Sequence, residues 1–551
     1  SPKISETTQY LLSMSKQPDA IFDYIVIGAG SAGCVIASRL TENHKARVLL
    51  IEAGGGDNRL SIKMPSAFYM PLHDQKINWG YYSEPEPGLD HRRIHCPRGK
   101  VLGGSSSING MVYIRGNQKD FDNWERLGAT GWNYDSVLPY FKKSQKADLL
   151  TQSDTYKGHD GPLATTTGSM SNPLYTAFLE ATQAAGFPLN EDVNGKHQEG
   201  FGPMPMTVDQ GIRASSYHSF ISNAKRSNLK ISTTSHVNKL LIKDGVATGV
   251  NYTQKNRQIN ATATKEIILC AGAINSPQIL MLSGIGPAND LEALGIQVQC
   301  DLPGVGQNLM DHLEVYVQQA SQLPISLHSQ LGWLRKGLIG IKWLATRRGL
   351  GATNHFEAGG FVKSNSALDY PDIQFHFLPV AMSYDGKVKA SQHGFQVHVG
   401  PMLSKSRGTI KLASSNPRDQ PKIQFNYMSH EEDFIVFRKA IRTARSIFQQ
   451  APFDGIRGKE LNPGSHRQSD DELDAFVKSN AESAYHPCGT CKMGIDNDSV
   501  VDPHARVKGI EKLRVADASI FPQITNGNLN APTIMVAERI ADLIKSEQDQ
   551  D

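Results

Sequence analysis

Phe22-Asp-Tyr-Ile-Val-Ile-Gly-Ala-Gly-Ser-Ala-Gly33 is an apolar, β-branched run that ends in three glycines spaced G-x-G-x-x-G. Cys34 to Leu40 follow with small and apolar residues suited to a helix, and a second β-branched run, Arg47-Val-Leu-Leu-Ile-Glu52, closes the unit. Strand, tight turn, helix and strand in that order predict a βαβ unit that holds a dinucleotide. Gly28 makes the turn, Gly30 lets the backbone approach a pyrophosphate, and Gly33 allows close helix packing. Ser31 and Ala32 open a helix whose N-terminal dipole favours phosphate, and Glu52 is placed to accept from a ribose hydroxyl. The motif leaves FAD and NAD both open. Its place at the start of a long chain with no second such unit favours a tightly held flavin.

The chain around this unit has 551 residues, enough for two to four domains at about 100–200 residues each. Hydrophobic residues make up 39% and charged residues 20%, as in ordinary globular proteins and unlike disordered ones. Lys and Arg number 57 against 54 Asp and Glu, so the net charge of +3 is too small to attract nucleic acid, and none is expected as a partner. Six cysteines in so long a chain do not make a disulfide framework, which fits an intracellular setting. No run approaches the roughly 18 apolar residues of a membrane-spanning helix, so any membrane association is expected to be peripheral. Residues 1–20 lack the apolar core of a secretory signal and read as an N-terminal extension.

Two further Gly/Ser blocks offer close backbone approach. Arg98-Gly-Lys-Val-Leu-Gly-Gly-Ser-Ser-Ser-Ile-Asn109 presents successive amides and small side chains on which a flat ring or phosphate can sit. The block Gly272 to Gly286 follows the strand-like Glu266-Ile-Ile-Leu-Cys270 and predicts strand, loop and a helix starting near Pro277 and ending at Gly284. From about Met170 to Val237, and again from Gln318 to Asp470, alternating runs such as Ile373 to Pro379 and Phe395 to Val399 predict an antiparallel sheet. One of its faces should be covered and the other open to a cavity. Met535 to Ile544 has helical periodicity and is expected to return the chain's end to the first domain.

Four ordered motifs now resemble the glucose-methanol-choline (GMC) oxidoreductases, FAD enzymes that oxidise alcohols, and the likeness covers nearly everything from Phe22 to Ile544. They are Gly28 to Gly33, Gly99 to Asn109, Gly272 to Gly286, and Tyr485-His-Pro487 with Asn528-Leu-Asn-Ala-Pro-Thr533. Asp311-His-Leu-Glu314, Asn354 to Gly360, Arg457 to His466 and His486 to Gly494 most resemble the choline-oxidising members. The resemblance implies an α/β fold: a Rossmann-like FAD-binding domain and a second, α+β substrate domain built on an antiparallel sheet. The FAD domain is expected over 21–169, 238–317 and 471–551, and the substrate domain over 170–237 and 318–470. FAD contacts implied by the family are Gly28, Gly30, Ser31, Ala32, Gly33, Glu52, Gly103, Gly104, Ser105, Asn109, Gly110, Val237, Asp517, Ala518, Asn528 and Pro532. Some relatives attach the flavin through a His just before the Asn of the Gly-Gly-Ser block. This chain has Ile108 there, so non-covalent FAD is expected.

Oxidising an alcohol removes a hydroxyl proton and transfers a hydride from carbon to the flavin N5. By the resemblance His486 is the base and Asn530 the partner that hydrogen-bonds the substrate oxygen, with Asn528 as the fallback two residues earlier. Cys488 and Cys491 have a metal or dithiol spacing but lack further ligands, and a packing role is expected with no metal. Choline cannot donate an ordinary N–H hydrogen bond, so its site needs a carboxylate and aromatic faces. The resemblance assigns these to Glu314, Trp333 and Tyr485, with Phe68 or Tyr69 completing the cage. The implied reaction is choline to betaine aldehyde, with the hydrated aldehyde open to a second oxidation to glycine betaine. The alternative is oxidation of a neutral primary alcohol in the same family. Electrons pass to a quinone-type acceptor in the dehydrogenases and to oxygen in the oxidases. The expected location is the bacterial cytoplasm or inner-membrane periphery, or the mitochondrion in a eukaryote.

Overall fold

The computed structural model describes residues 20–148, 155–224, 226–383 and 392–548, so nearly all of the expected N-terminal extension lies outside the described residues. In chain order the elements that build the site begin with β1 (Ala20–Ile27), α1 (Ser31–Thr41), β2 (Val48–Ile51), β3 (Gly200–Pro203) and β4 (Leu229–Ser232). They continue with β5 (Ser235–Lys243), β6 (Val246–Gln254), β7 (Arg257–Leu269), α2 (Gly272–Leu282), β8 (Leu313–Ser321) and α3 (Trp333–Thr346). Last come β9 (Ala358–Val362), β10 (Ile373–Leu378), β11 (Gly394–Pro401), α4 (Glu431–Phe448), β12 (Arg457–Asn462), β13 (Glu482–Ser483), β14 (Leu513–Val515) and α5 (Asn530–Gln548).

The first sheet runs β4-β2-β1-β7-β6-β5, with β14 also paired to β7. Its nucleotide-binding part is parallel, because β1, β2, β4 and β14 are joined by crossovers rather than hairpins. The buried run Val48 to Ile51, apolar on both faces, is what a strand covered on both sides requires. β7 is long enough to serve twice: Gln258 to Thr262 pair antiparallel with β6, and Ile267 to Leu269 pair parallel with β14. The helix α5 packs on α1, returning the chain to the first domain as the periodicity of Met535 to Ile544 implied.

The second sheet is antiparallel, in the order β12-β8-β11-β10-β9-β3, with β13 on β8. Its period of two sorts the side chains. Phe375, Phe377, Phe395, Val397 and Val399 are buried in the apolar core, with Phe395 5.1 Å from Phe448 of α4. Glu314, His376 and His398 alternate with them and line a cavity.

Two expectations are corrected here. The division at 237/238 falls too late and that at 317/318 too late as well: β4 joins the first sheet through its parallel pairing with β2, while β8 from Leu313, and β13, belong to the second. The helix expected near Pro277 begins five residues earlier, at Gly272. Pro277 has no N–H for the Ala273 carbonyl, and the Thr490 hydroxyl donates to that oxygen at 2.6 Å instead.

Candidate functional site

One continuous cavity runs from the first βαβ turn to the open face of the second sheet. At the first end, Gly28 adopts φ +96°, and a Cβ on Gly33 would lie 1.8 Å from the Gly28 carbonyl oxygen, so helix and turn touch backbone to backbone. Gly30 caps α1 with no side chain, which leaves the first-turn amides of Ser31, Ala32 and Gly33 for an anion. Glu52 accepts from the amides of Ala29 (3.0 Å) and Gly54 (2.8 Å), and burial pushes its carboxyl up to about 7. Gly28, Gly30, Ser31, Ala32, Glu52, Gly104, Ser105, Asn109, Gly110, Val237, Asp517, Ala518 and Asn528 all line the cavity. Gly33, Gly103 and Pro532 do not. Gly33 is a packing residue, Gly103 donates its amide to the Ala29 carbonyl at 2.7 Å, and Pro532 is buried inside α5. Ile108 lines the cavity where some relatives carry a His, so no ring nitrogen is present there for a covalent link.

At the other end His486 is held from three directions. Its backbone N–H donates to Asp311 Oδ1 at 2.7 Å, its Nδ1 lies 2.9 Å from His312 Nδ1, and its Nε2 lies 3.1 Å from Asn528 Nδ2. The hydrogen positions follow from a backbone carbonyl. Met402 O only accepts, so His312 Nε2, 3.1 Å away, carries the proton. Burial depresses His312 to about 4, so it is neutral and its Nδ1 is a bare acceptor. His486 must therefore donate from Nδ1 and keep an unprotonated Nε2 facing Asn528. Burial, then the neighbouring His312, His376 and Arg98, hold His486 well below the ordinary histidine value, so that lone pair is available near neutral pH. The preceding residue, Tyr485, adopts a left-handed φ of 66°, and its carbonyl accepts from Arg98 Nη2 at 2.6 Å.

A second chain of hydrogen bonds orients Glu314. The Met382 amide donates to Gln396 Oε1 at 2.8 Å, which orients that carboxamide and points Nε2 at His398 Nε2, 2.7 Å away. His398 accordingly accepts at Nε2 and donates from Nδ1 to Glu314 Oε1 at 3.0 Å. The His398 imidazole thus orients the Glu314 carboxyl in the cavity wall. Around the same cavity stand Phe68, Phe356 and Tyr485, with Phe68 and Phe356 5.3 Å apart.

Three expected positions are displaced. Asn528, not Asn530, meets His486; Asn530 accepts from Ser31 Oγ at 2.8 Å and joins α5 to α1. Trp333 is not a cage aromatic: it is 81% exposed at the start of α3, whose buried indole is Trp343. Tyr69 lies outside the lining, edge-on behind Phe68, which takes the place in the cavity. His312, His376, His398 and Phe356 were missed. The alternation in Ile373 to Pro379 and Phe395 to Val399 carried the signal for two of them. Cys488 and Cys491 are buried with thiols pushed well up by burial, and no cluster of three or more His, Cys, Asp or Glu among the described residues is arranged for a metal.

A Rossmann-type sheet and an antiparallel sheet enclosing one cavity, with His486 in its wall, are the architecture of a flavin-dependent alcohol oxidoreductase. The chain belongs to the GMC oxidoreductase family, whose N-terminal domain model matches residues 22–314 and whose C-terminal model matches 404–537. It is 52% identical over 532 residues to an oxygen-dependent choline dehydrogenase of Vibrio vulnificus, covering 96% of this chain and 95% of that one. It is 53% identical over 536 residues to the mitochondrial choline dehydrogenase of Homo sapiens, covering 96% and 90%. Among solved structures, a formate oxidase superposes with a TM-score of 0.92 at 28% identity, covering 97% of this chain and all of that one. Pyridoxine 4-oxidase from Mesorbium loti gives 0.86 at 30% identity, covering 94% and 98%.

Proposed function

We propose that the protein oxidises choline to betaine aldehyde with non-covalent FAD. The observation that carries this reading is a buried carboxyl side chain, Glu314, lining the same cavity as Phe68, Phe356, Tyr485 and the unprotonated Nε2 of His486. A quaternary ammonium suits that wall, because it takes charge and ring-face contacts and needs no hydrogen-bond acceptor. His486 Nε2 takes the hydroxyl proton, and Asn528 Nδ2, freed from His486, donates to the substrate oxygen as negative charge gathers there. FAD, when bound, supplies the N5 that accepts the hydride. His312 holds His486 in the tautomer that can act.

Replacing Glu314 by Gln tests the ammonium half. The KM for choline should rise about 10- to 100-fold, the worth of a hydrogen bond or ion contact to a charged group, while the neutral isostere with carbon in place of nitrogen is oxidised as before. Equal losses on both alcohols would point to a neutral primary alcohol as substrate. Electrons are proposed to leave to a quinone-type acceptor at the periphery of an intracellular membrane. No helix among the described residues is long and apolar enough to cross one. Oxygen is the second reading, favoured by the name of the Vibrio relative, and comparing oxygen uptake with quinone-analogue reduction in one preparation separates the two.

A further inference from the structure

Among the described residues, the largest run of exposed apolar side chains belongs to α3, which serves no part of the chemistry described above. Leu334, Leu338 and Ile341 are 61%, 60% and 65% exposed, and Trp333 and Leu344 join them. At 100° per residue these five side chains fall on one face of the helix. The opposite face is the seated one: Trp343 is buried there, its indole N–H donating to the Gly211 carbonyl at 2.7 Å. The helix therefore presents its apolar stripe outward, the reverse of a helix in a water-soluble fold.

Its charges are equally one-sided. No Asp or Glu occurs between Glu314 and Glu357, while Arg335, Lys336, Lys342, Arg347 and Arg348 lie in or beside the helix. On a chain whose net charge is only +3, this segment concentrates positive charge around an exposed apolar stripe. Two contacts link α3, through Tyr69, to the wall of the cavity. Lys336 Nζ reaches the Tyr69 hydroxyl at 3.4 Å, and Tyr69 stands edge-on against Phe68, which lines the cavity.

We infer that α3 is an in-plane anchor that docks the protein on an anionic lipid bilayer, with Trp333, Leu334, Leu338, Ile341 and Leu344 entering the headgroup–acyl boundary and the flanking cations meeting lipid phosphates. A basic polar flank and a Trp/Leu apolar face are the composition that interfacial helices require. A second copy of the chain would have to bring acidic groups to the same patch, and α3 supplies none for a symmetric contact. The inference names the surface for the peripheral attachment proposed above and does not depend on the substrate.

The test is co-flotation of the full FAD-loaded protein with vesicles of phosphatidylcholine containing phosphatidylglycerol, beside vesicles of phosphatidylcholine alone. Wild type should float with the anionic vesicles, with a blue shift of Trp emission, and bind neutral ones at least tenfold less. The double variant Leu338→Glu/Ile341→Glu should lose at least tenfold in binding while retaining its flavin and its activity on soluble substrate and acceptor. If wild type binds neither vesicle, both this inference and the peripheral-membrane reading fall. If the double variant still floats, attachment stands and α3 is the wrong surface. A dimer that the double variant dissolves, without vesicle binding by wild type, would assign the stripe to self-association and overturn the lipid reading.

Discussion

His312 acts through His486 without touching substrate, and the residue scale can isolate it. Its neutral Nδ1 is the acceptor that forces the His486 proton onto Nδ1. His312→Ala leaves a buried N–H unpaired, at a cost of about 1–3 kcal/mol, and frees the ring to take the unreactive tautomer. We expect kcat to fall about 10- to 100-fold with the choline KM little changed. His312→Asn, which restores an acceptor near the Nδ1 position, should recover most of the loss, and an Asn variant no better than Ala would show that the imidazole contributes packing alone. Legibility at this scale was uneven. His486 and Glu314 came through the family resemblance of the motifs they stand in, and without it neither would have stood out from the other His and Glu of the chain. Asn528 and Asn530 differ by two positions at the entry to α5, and only the turn before that helix decides which carboxamide reaches the imidazole. Trp333 and Trp343 likewise differ in the side of α3 they occupy, a fact of tertiary packing that a spacing of 19 residues from Glu314 does not contain.

At the scale of elements, the G-x-G-x-x-G turn could be read because its glycines answer to backbone geometry that any βαβ unit imposes. The last of them permits the sharpest test. A Cβ at Gly33 would sit 1.8 Å from the Gly28 carbonyl oxygen and 3.3 Å from the Cys270 Cβ, so α1 cannot stay against the turn. Gly33→Ala should therefore purify with little or no flavin, read from the ratio of visible to ultraviolet absorbance. Gly56, where an added Cβ would meet nothing within 4 Å, is the control, and its Ala variant should keep the wild-type ratio. Full flavin retention in Gly33→Ala would mean that the helix shifts at no cost. The domain boundaries were harder to read because β4 and β8 are ordinary runs of mixed apolar and polar residues. What assigns each to its sheet is a partner far away in sequence, β2 for one and β11 for the other.

Across the whole molecule, α5 packs on α1 and joins two distant stretches of the nucleotide domain. Arg39 of α1 grips Glu538 of α5 with two bonds, Nε to Oε2 at 2.7 Å and Nη2 to Oε1 at 2.8 Å, across 499 positions of sequence. The two partners are not equivalent. Glu538 is fully buried, with Lys143 3.9 Å away as its other cation, whereas Arg39 keeps Glu42 as a second carboxylate. Removing the cation thus strands a buried charge, while removing the anion leaves an arginine that is still paired. Arg39→Met should cost about 3–5 kcal/mol of unfolding free energy, and Glu538→Gln about 1–3 kcal/mol, both measured by denaturant unfolding of the holoprotein. In Arg39→Met/Glu538→Gln the stranded charge is gone, so the double variant should be more stable than Arg39→Met alone. If Glu538→Gln proved the costlier single change, the pair's strength would lie in what Arg39 needs, and burial of Glu538 would not be the reason α1 and α5 hold together.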